Sequence, residues 1–413
     1  MQLQERDRYS MKDRLIFHID VNSAFLSWEA VHRLEADKDA LDLRTIPSAV
    51  GGDLKTRHGV ILAKSHPAKA FGINTGEPVI TALKKCPSLC LVPPNHSLYE
   101  DYSKSLRELL YQYTPAIEPF SIDEAYLDMT GAIPLGTSPI KIAEAIAERV
   151  RTELQFTVNI GISSNKLLAK MASDFEKPDK IHTLFPSEIE KKMWPLPLNE
   201  LFFVGRSSAR ILRNLGLRTI GDIANTNLAF LKSHLGKKHG ETIYAYSHGI
   251  DNSPVEDSPA AAKCYGSSLT LSQDITDFND AKEILLLLSE TVGSRLRRDT
   301  IKAACITVEM RDLDFNNQSH QITLSVPTNT TDVIYHTACK LLQESWKGTP
   351  LRLLGVRTGK LEEKNEYTQL SLFSLKENEK KEKLDKALDS IREKYGSDAI
   401  RRATFLEKKQ GEN

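Results

Sequence analysis

Two apolar, strand-like runs carry carboxylates where a strand can least tolerate them. Leu15-Ile16-Phe17-His18-Ile19 runs straight into Asp20-Val21-Asn22, and Phe120 to Met129, FSIDEAYLDM, holds Asp123-Glu124 at its centre. A carboxylate beside buried strand surface is costly unless a cation or a set of donors meets it. Successive side chains on a strand point to opposite faces, so Asp123 and Glu124 can serve one ligand only across a bend, or if that ligand is reached from both sides. Mg²⁺ takes hard oxygen ligands in near-octahedral array and only a few carboxylates. Three carboxylates, a backbone carbonyl and substrate phosphates suit a two-ion site about 3.5–4 Å across. The same residues also permit a plainer reading, with Asp20 capping a helix before Ser23 and Asp123-Glu124 on a solvated edge strand.

Around these runs, strands and helices interleave. Helical spacing follows Asn22 (Phe25, Leu26, Ala30, Val31, Leu34) and recurs over 98–113, 138–154 and 165–175, with a strand at 158–162. This is an α/β or α+β pattern. At about 100–200 residues per domain, a chain this long holds several. Near 181–200 the texture changes to Pro-punctuated WPLPL, and 201–224 shows two short helical patterns separated by Gly. Residues 251–264 read as a linker. Residues 265–360 alternate strands (305–310, 321–326) with helices (280–297, 331–346), and 376–406 form a charged helical tail.

Lys+Arg and Asp+Glu are 55 each, so the chain is not globally basic and any nucleic-acid face must come from local charge. Residues 181–250 are such a region, with nine Lys/Arg against five Asp/Glu. Five Cys make no disulfide framework, which favours a reducing compartment. No apolar run reaches the ~18 residues that would span a bilayer, and the polar first 13 residues lack a signal core. No membrane partner and a cytoplasmic location are therefore expected.

FHIDVNSAFLSWE, FSIDEAYLDMTG and NIGISSNKLLAKMASDFEKPD occur in this order along the chain. Together they resemble the palm motifs of the Y-family (translesion) DNA polymerases, nearest the DNA polymerase IV branch, and the likeness spans roughly residues 14–406. It implies an α+β multidomain fold, a right-hand polymerase with palm (14–34 and 87–180), fingers (35–86), helix-hairpin-helix thumb (181–250) and little finger (265–360), after a polar extension (1–13) and before a tail (361–413). It implies that Asp20, Asp123 and Glu124 are catalytic and that, with the Val21 carbonyl, they hold two Mg²⁺ ions. It implies a dNTP site at Phe25, Ser65, His66, Lys69 and Lys177, where Phe25 is the ring that excludes a 2′-hydroxyl. The chain departs from the family at His66-Pro67-Ala68-Lys69, where Tyr-x-x-Arg is usual, and at Asn22, where a second Asp is usual. Lys is a point charge without the bidentate fork of Arg.

The implied function is template-directed, Mg²⁺-dependent, low-fidelity addition of dNTPs to a primer 3′-hydroxyl during damage bypass. Its partners would be primer-template DNA, dNTP and a bacterial sliding clamp, with the chain itself a monomer. Gly205, Arg206, Arg210 and Gly216 match the thumb hairpin that approaches DNA phosphates. Gln369, Leu370, Leu372 and Phe373 match a clamp-binding pentapeptide, a polar anchor followed by apolar residues in a polar stretch. Arg295, Arg297 and Arg298 fit either a DNA contact or a solvated helix end. A non-catalytic, clamp-associated DNA-binding scaffold would retain the fold without needing the acids. A two-metal nuclease or phosphatase would use the acids but leave Phe25 and the lysines without a role.

Overall fold

The structure is a computed structural model and describes residues 14–52, 59–134, 136–257, 261–363, 372–396, 399–400 and 402. The chain divides into two compact units, one within 14–257 and one from 261 onward.

In the first unit β1 (Ile16–Val21) carries the apolar run, and all six residues are buried. Helix α1 (Ala24–Ala36) begins at Ser23, whose backbone is left-handed at φ 49° and whose side chain makes no cap bond. Asp20 is therefore no helix cap. A small sheet follows, built from β2 (Ser48–Gly51) and β3 (Ile61–Lys64). Two short helices come next, α2 (His66–Ala70) and α3 (Val79–Lys85), and then β4 (Cys90–Val92). The order is β3-β2-β4, with β4 parallel to β2. The small sheet thus extends past residue 86, because Cys90–Val92 pairs with Ser48–Val50.

The larger sheet takes in β5 (Ile117–Pro119), β6 (Glu124–Asp128), β7 (Val158–Ser163) and β8 (Ile181–Thr183), with α4 (His96–Leu110), α5 (Pro139–Glu153) and α6 (Lys166–Ser173) between them. Its order is β5-β6-β1-β7-β8, so β1 is central and antiparallel to both neighbours. One face packs a core of Phe17, Ile19, Trp28, Tyr99, Leu110 and Phe156. On the other lies α6, close enough that a Cβ on Gly161 would come 1.9 Å from the Ala169 carbonyl oxygen. Only glycine allows that approach.

Five helices complete the unit: α7 (Ile189–Lys192), α8 (Arg206–Asn214), α9 (Ile220–Ala224), α10 (Leu228–Leu235) and α11 (Lys237–Ser247). They share a core that includes Leu212, Ile220, Leu231 and Ile243. The turn between α8 and α9 uses Gly216 at φ 86°, a left-handed conformation that glycine adopts freely.

The second unit is an antiparallel sheet of β9 (Tyr265–Ile275), β10 (Ile301–Asp312), β11 (Asn317–Thr328) and β12 (Leu351–Glu363) in the order β11-β10-β12-β9. Helices α12 (Phe278–Arg298) and α13 (Thr331–Ser345) cover it through a core that includes Leu285, Val292, Ile306, Ile334 and Leu342. The charged tail forms α14 (Leu372–Tyr395) and ends at Gly396. It docks on the helix pair through charge: Arg297 donates to Asp385 at 3.2 Å and to Asp389 at 2.6 Å, and Asp385 accepts the Thr331 N–H at 2.8 Å. Arg297 is thus a buried tie, whereas Arg298 stays exposed beside Asp299.

Candidate active site

Asp20 lies near the end of β1, and the antiparallel register sets it opposite Glu124, the first residue of β6. Asp123 sits one step earlier, where the chain bends before the strand. Phe120 and Ser121 both donate N–H to the Glu124 carbonyl, at 2.9 and 3.2 Å, and Val21 N–H donates to the Asp123 carbonyl at 3.0 Å. This bend cancels the strand alternation. All three acids line one cleft of about 590 Å³ together with Val21, Phe25, Lys64, Ser65, His66, Lys69 and Lys177.

Two residues not singled out from the sequence shape this acid end. Lys170 of α6 reaches Glu124 at 2.9 Å, Asp20 at 3.3 Å and Asp174 at 3.3 Å. His18 is fully buried, its Nδ1 2.8 Å from Ser173 Oγ and its Nε2 3.2 Å from Glu124 Oε2. The available signal was a histidine in an apolar strand and a lysine flanked by LLA and MA on a short helix. Lys177, expected at the triphosphate, lies on Asp20 at 2.8 Å and Asp174 at 2.9 Å.

The electrostatics follow. Burial pushes the Glu124 carboxyl up, but the His18 hydrogen bond and the Lys170 ammonium reverse this and hold it down at about 2. Burial raises Asp123, and the charges of Glu124 and Asp20 add to the rise against the Ser121 hydroxyl, which donates at 2.5 Å. Burial lowers the pKa of His18, which favours neutral imidazole. Burial also opposes the charge on Lys170, but the surrounding carboxylates outweigh it and raise its pKa.

As the side chains stand, Asp20 and Glu124 face these lysines, and among the described residues no three acids, histidines or cysteines are grouped to hold a metal ion. The donor set nonetheless fits a divalent cation. Asp20, Asp123, Glu124 and Asp174 are met by two ammoniums, so hard oxygens and negative charge are in excess.

Across the cleft, Phe25 stacks on Tyr99 with ring centroids 4.4 Å apart and planes 12° from parallel. Tyr99 is itself anchored by donating to Glu29 at 2.8 Å. Ser65 is buried, and its hydroxyl is committed to the fold: it donates to the Ile46 carbonyl and accepts N–H from Ser48 and Ala68, holding the start of α2. His66 and Lys69 of α2 line the cleft. Gly205, at the N-cap of α8, and Arg206, Arg210 and Gly216 are all exposed. Gln369 and Leu370 lie outside the described residues, while Leu372 and Phe373 open α14.

Comparison with known proteins agrees with this geometry. Residues 19–174 match the impB/mucB/samB family, residues 262–372 match the C-terminal domain of that family, and residues 200–251 match a thumb domain described for DNA polymerase-iota. A protein of Clostridium acetobutylicum named DNA polymerase IV is 46% identical over 397 residues, covering 96% of this chain and 99% of its own. One of Acetivibrio thermocellus with the same name is 37% identical over 398 residues, covering 95% and 98%. DNA polymerase IV 1 of Bacillus subtilis is 35% identical over 401 residues, covering 97% and 95%. Among solved structures, a Dbh-Dpo4-Dbh chimera of the Y-family polymerases superposes with a TM-score of 0.73 at 25% identity, covering 84% of this chain and 99% of the chimera. Shared identity along nearly the whole length, the family matches and the common fold make this chain a member of the Y-family of translesion DNA polymerases and a DNA-directed DNA polymerase.

Proposed function

We propose that this polymerase adds dNTPs to a primer 3′-hydroxyl with two Mg²⁺ ions held by Asp20, Asp123, Glu124 and the Val21 carbonyl. The observation that supports it is that one cleft is lined by Asp20, Asp123 and Glu124 together with Phe25, His66 and Lys69. Bound Mg²⁺ would supply Lewis acidity at the attacking hydroxyl and neutralise charge on the triphosphate. The protein's own groups do the rest. His18 and Lys170 hold the Glu124 carboxylate in place and ionised. Lys177 is near enough to leave Asp20 for a phosphate. The Phe25 ring, backed by Tyr99, forms the wall under the sugar, where a 2′-hydroxyl would clash and lose its hydrogen bonds.

In this reading the large sheet is the palm, the small sheet through Val92 the fingers, α8–α11 the thumb and the second unit the little finger. Gly205, Arg206, Arg210 and Gly216 contact DNA phosphates. Gln369, Leu370, Leu372 and Phe373 engage a sliding clamp, which raises the effective concentration of a weakly processive enzyme at the primer end. The enzyme acts as a monomer in the cytoplasm. Among the described residues no helix is long and apolar enough to cross a membrane.

Asp123→Asn is the test, read by primer extension in Mg²⁺ and by DNA binding. We expect extension to fall by about a thousandfold or more, with the Kd for primer-template within about twofold of wild type. Extension near the wild-type rate would overturn the assignment.

A further inference from the structure

The wall opposite the acids carries more positive charge than the protein itself uses. Lys64 ends β3, where Ile61 and Ala63 are buried and Leu62 and Lys64 are half-buried. That alternation places Lys64 on the same side as Leu62, and both line the cleft with Lys69. Neither lysine side chain has a hydrogen bond or ion pair among the described residues. The carboxylate whose field reaches Lys64 is that of Glu77. It is already engaged, accepting from Lys85 Nζ at 2.5 Å and from Asn74 N–H at 3.0 Å. Partial burial and the Lys69 ammonium both weaken the hold of Lys64 on its proton. A half-buried ammonium, Lys64, and an exposed one, Lys69, line one cleft with no ion-pair partner among the described residues, an arrangement suited to a bound polyanion.

This is also where the chain lacks the guanidinium usual in its family, having Lys69 instead. One guanidinium offers a phosphate two parallel N–H donors from a rigid fork, while a lysine offers a single charged point. We propose that Lys64 is a second phosphate-binding cation of the fingers. Lys64 and Lys69 grip the incoming triphosphate as two separate ammoniums in place of one fork. The inference rests on the nucleotide-binding reading of the cleft.

The experiment is single-nucleotide incorporation on saturating primer-template in Mg²⁺, comparing wild type, Lys64→Ala and Lys64→Arg. Loss of one charged phosphate contact raises the dNTP KM by about tenfold. The expected kcat stays within about threefold and the DNA Kd within about twofold, because the contact is to nucleotide and not to duplex. Lys64→Arg keeps KM near wild type. Inorganic tripolyphosphate, which has no base or sugar, inhibits Lys64→Ala more weakly than wild type by a similar factor. Lys64→Gln replaces the alanine variant if thermal melting shows that variant unfolded.

An unchanged KM, or equal inhibition by tripolyphosphate, removes Lys64 from the site. A DNA Kd that weakens as much as KM makes it a duplex contact and also overturns the proposal. If wild type binds no nucleotide in this assay, the reading of the cleft has failed; if it does and the variants match it, only the role of Lys64 has.

Discussion

Two clusters of buried charge among the described residues are built differently. In the second unit Arg297, Arg392 and Arg402 meet Asp385, Asp389 and Glu290. Glu290 takes Arg402 at 2.8 Å and Arg392 at 3.1 Å, Asp385 takes Arg297 at 3.2 Å and Arg402 at 3.4 Å, and Asp389 takes Arg297 at 2.6 Å. Among the described residues every carboxylate of this cluster has a partner, three arginines meet three acids and all the cations are arginines. At the acid end of the cleft the cations are lysines, and among the described residues Asp123 has only a serine hydroxyl as side-chain partner. Burial of charge therefore does not mark a functional site. What marks one is incomplete pairing by cations that can move away. A lysine is a single flexible point of charge, while a forked arginine held by two acids is fixed in place.

The sharpest way to break this contrast is to cut each cluster once and measure both activity and stability. Arg297→Met leaves half-buried Asp389 without its cation and buried Asp385 with Arg402 alone among the described residues, and losing one partner of a buried pair costs about 3–5 kcal/mol. The expected outcome is a lower melting temperature for the second unit, with primer extension preserved at temperatures where the variant is folded. Asp123→Asn should do the reverse, stopping extension while leaving the melting temperature unchanged or higher, since it removes a carboxylate raised by burial and by Glu124 and Asp20. Calorimetry and primer extension on the two variants check this. If both lose stability alike, the two clusters are not different in kind.

How much of this was legible in the sequence depends on distance along the chain. The β1 run was readable because an apolar run is a local signal, whereas the strand read over 120–129 begins only at Glu124, after a bend through 121–123. A bend was one of the two ways open for Asp123 and Glu124 to serve one ligand, and it is the one the backbone supplies. Lys170 was not legible, because its role depends on α6 lying against β1, across 150 residues, at a distance only Gly161 allows. Arg297 was ambiguous for the same reason. Its partners Asp385 and Asp389 lie in the tail, and no local pattern separates a solvated helix end from a buried tie. The pairing of β4 with β2 is parallel and long-range, so no local pattern showed that the small sheet runs on to Val92.

The contrast is sharpened at the apolar edge of the cleft. Phe25 is packed on one face against Tyr99 and turns towards open space on the other, so it is neither core nor solvent. Phe25→Ala removes the wall without touching any charge. Discrimination against ribonucleotides should fall by roughly a hundredfold, with dNTP incorporation reduced less, measured as the ratio of kcat/KM for the two sugars. An unchanged ratio would place sugar selection elsewhere.

The smallest effect separates the two adjacent acids of the cleft by the sign of their pH dependence in metal-free protein. Glu124 is held at about 2 against an ordinary 4.5. Its ionised form therefore adds stability that is fully present above about pH 4.5 and is lost as pH falls towards 2. Asp123 is shifted the other way, above its ordinary 3.8. Its ionised form weakens the fold, and that weakening is absent below pH 3.8 and appears as pH rises through the raised value. Chemical denaturation in chelator, from pH 3 to 7, reads both. Relative to wild type, Glu124→Gln should be destabilised at neutral pH, with the gap shrinking below pH 4.5. Asp123→Asn should equal wild type in acid and become the more stable of the two as pH rises. Parallel curves for the two variants would mean that the lysines serve all the acids equally, and that the excess negative charge assigned to Asp123 is not there.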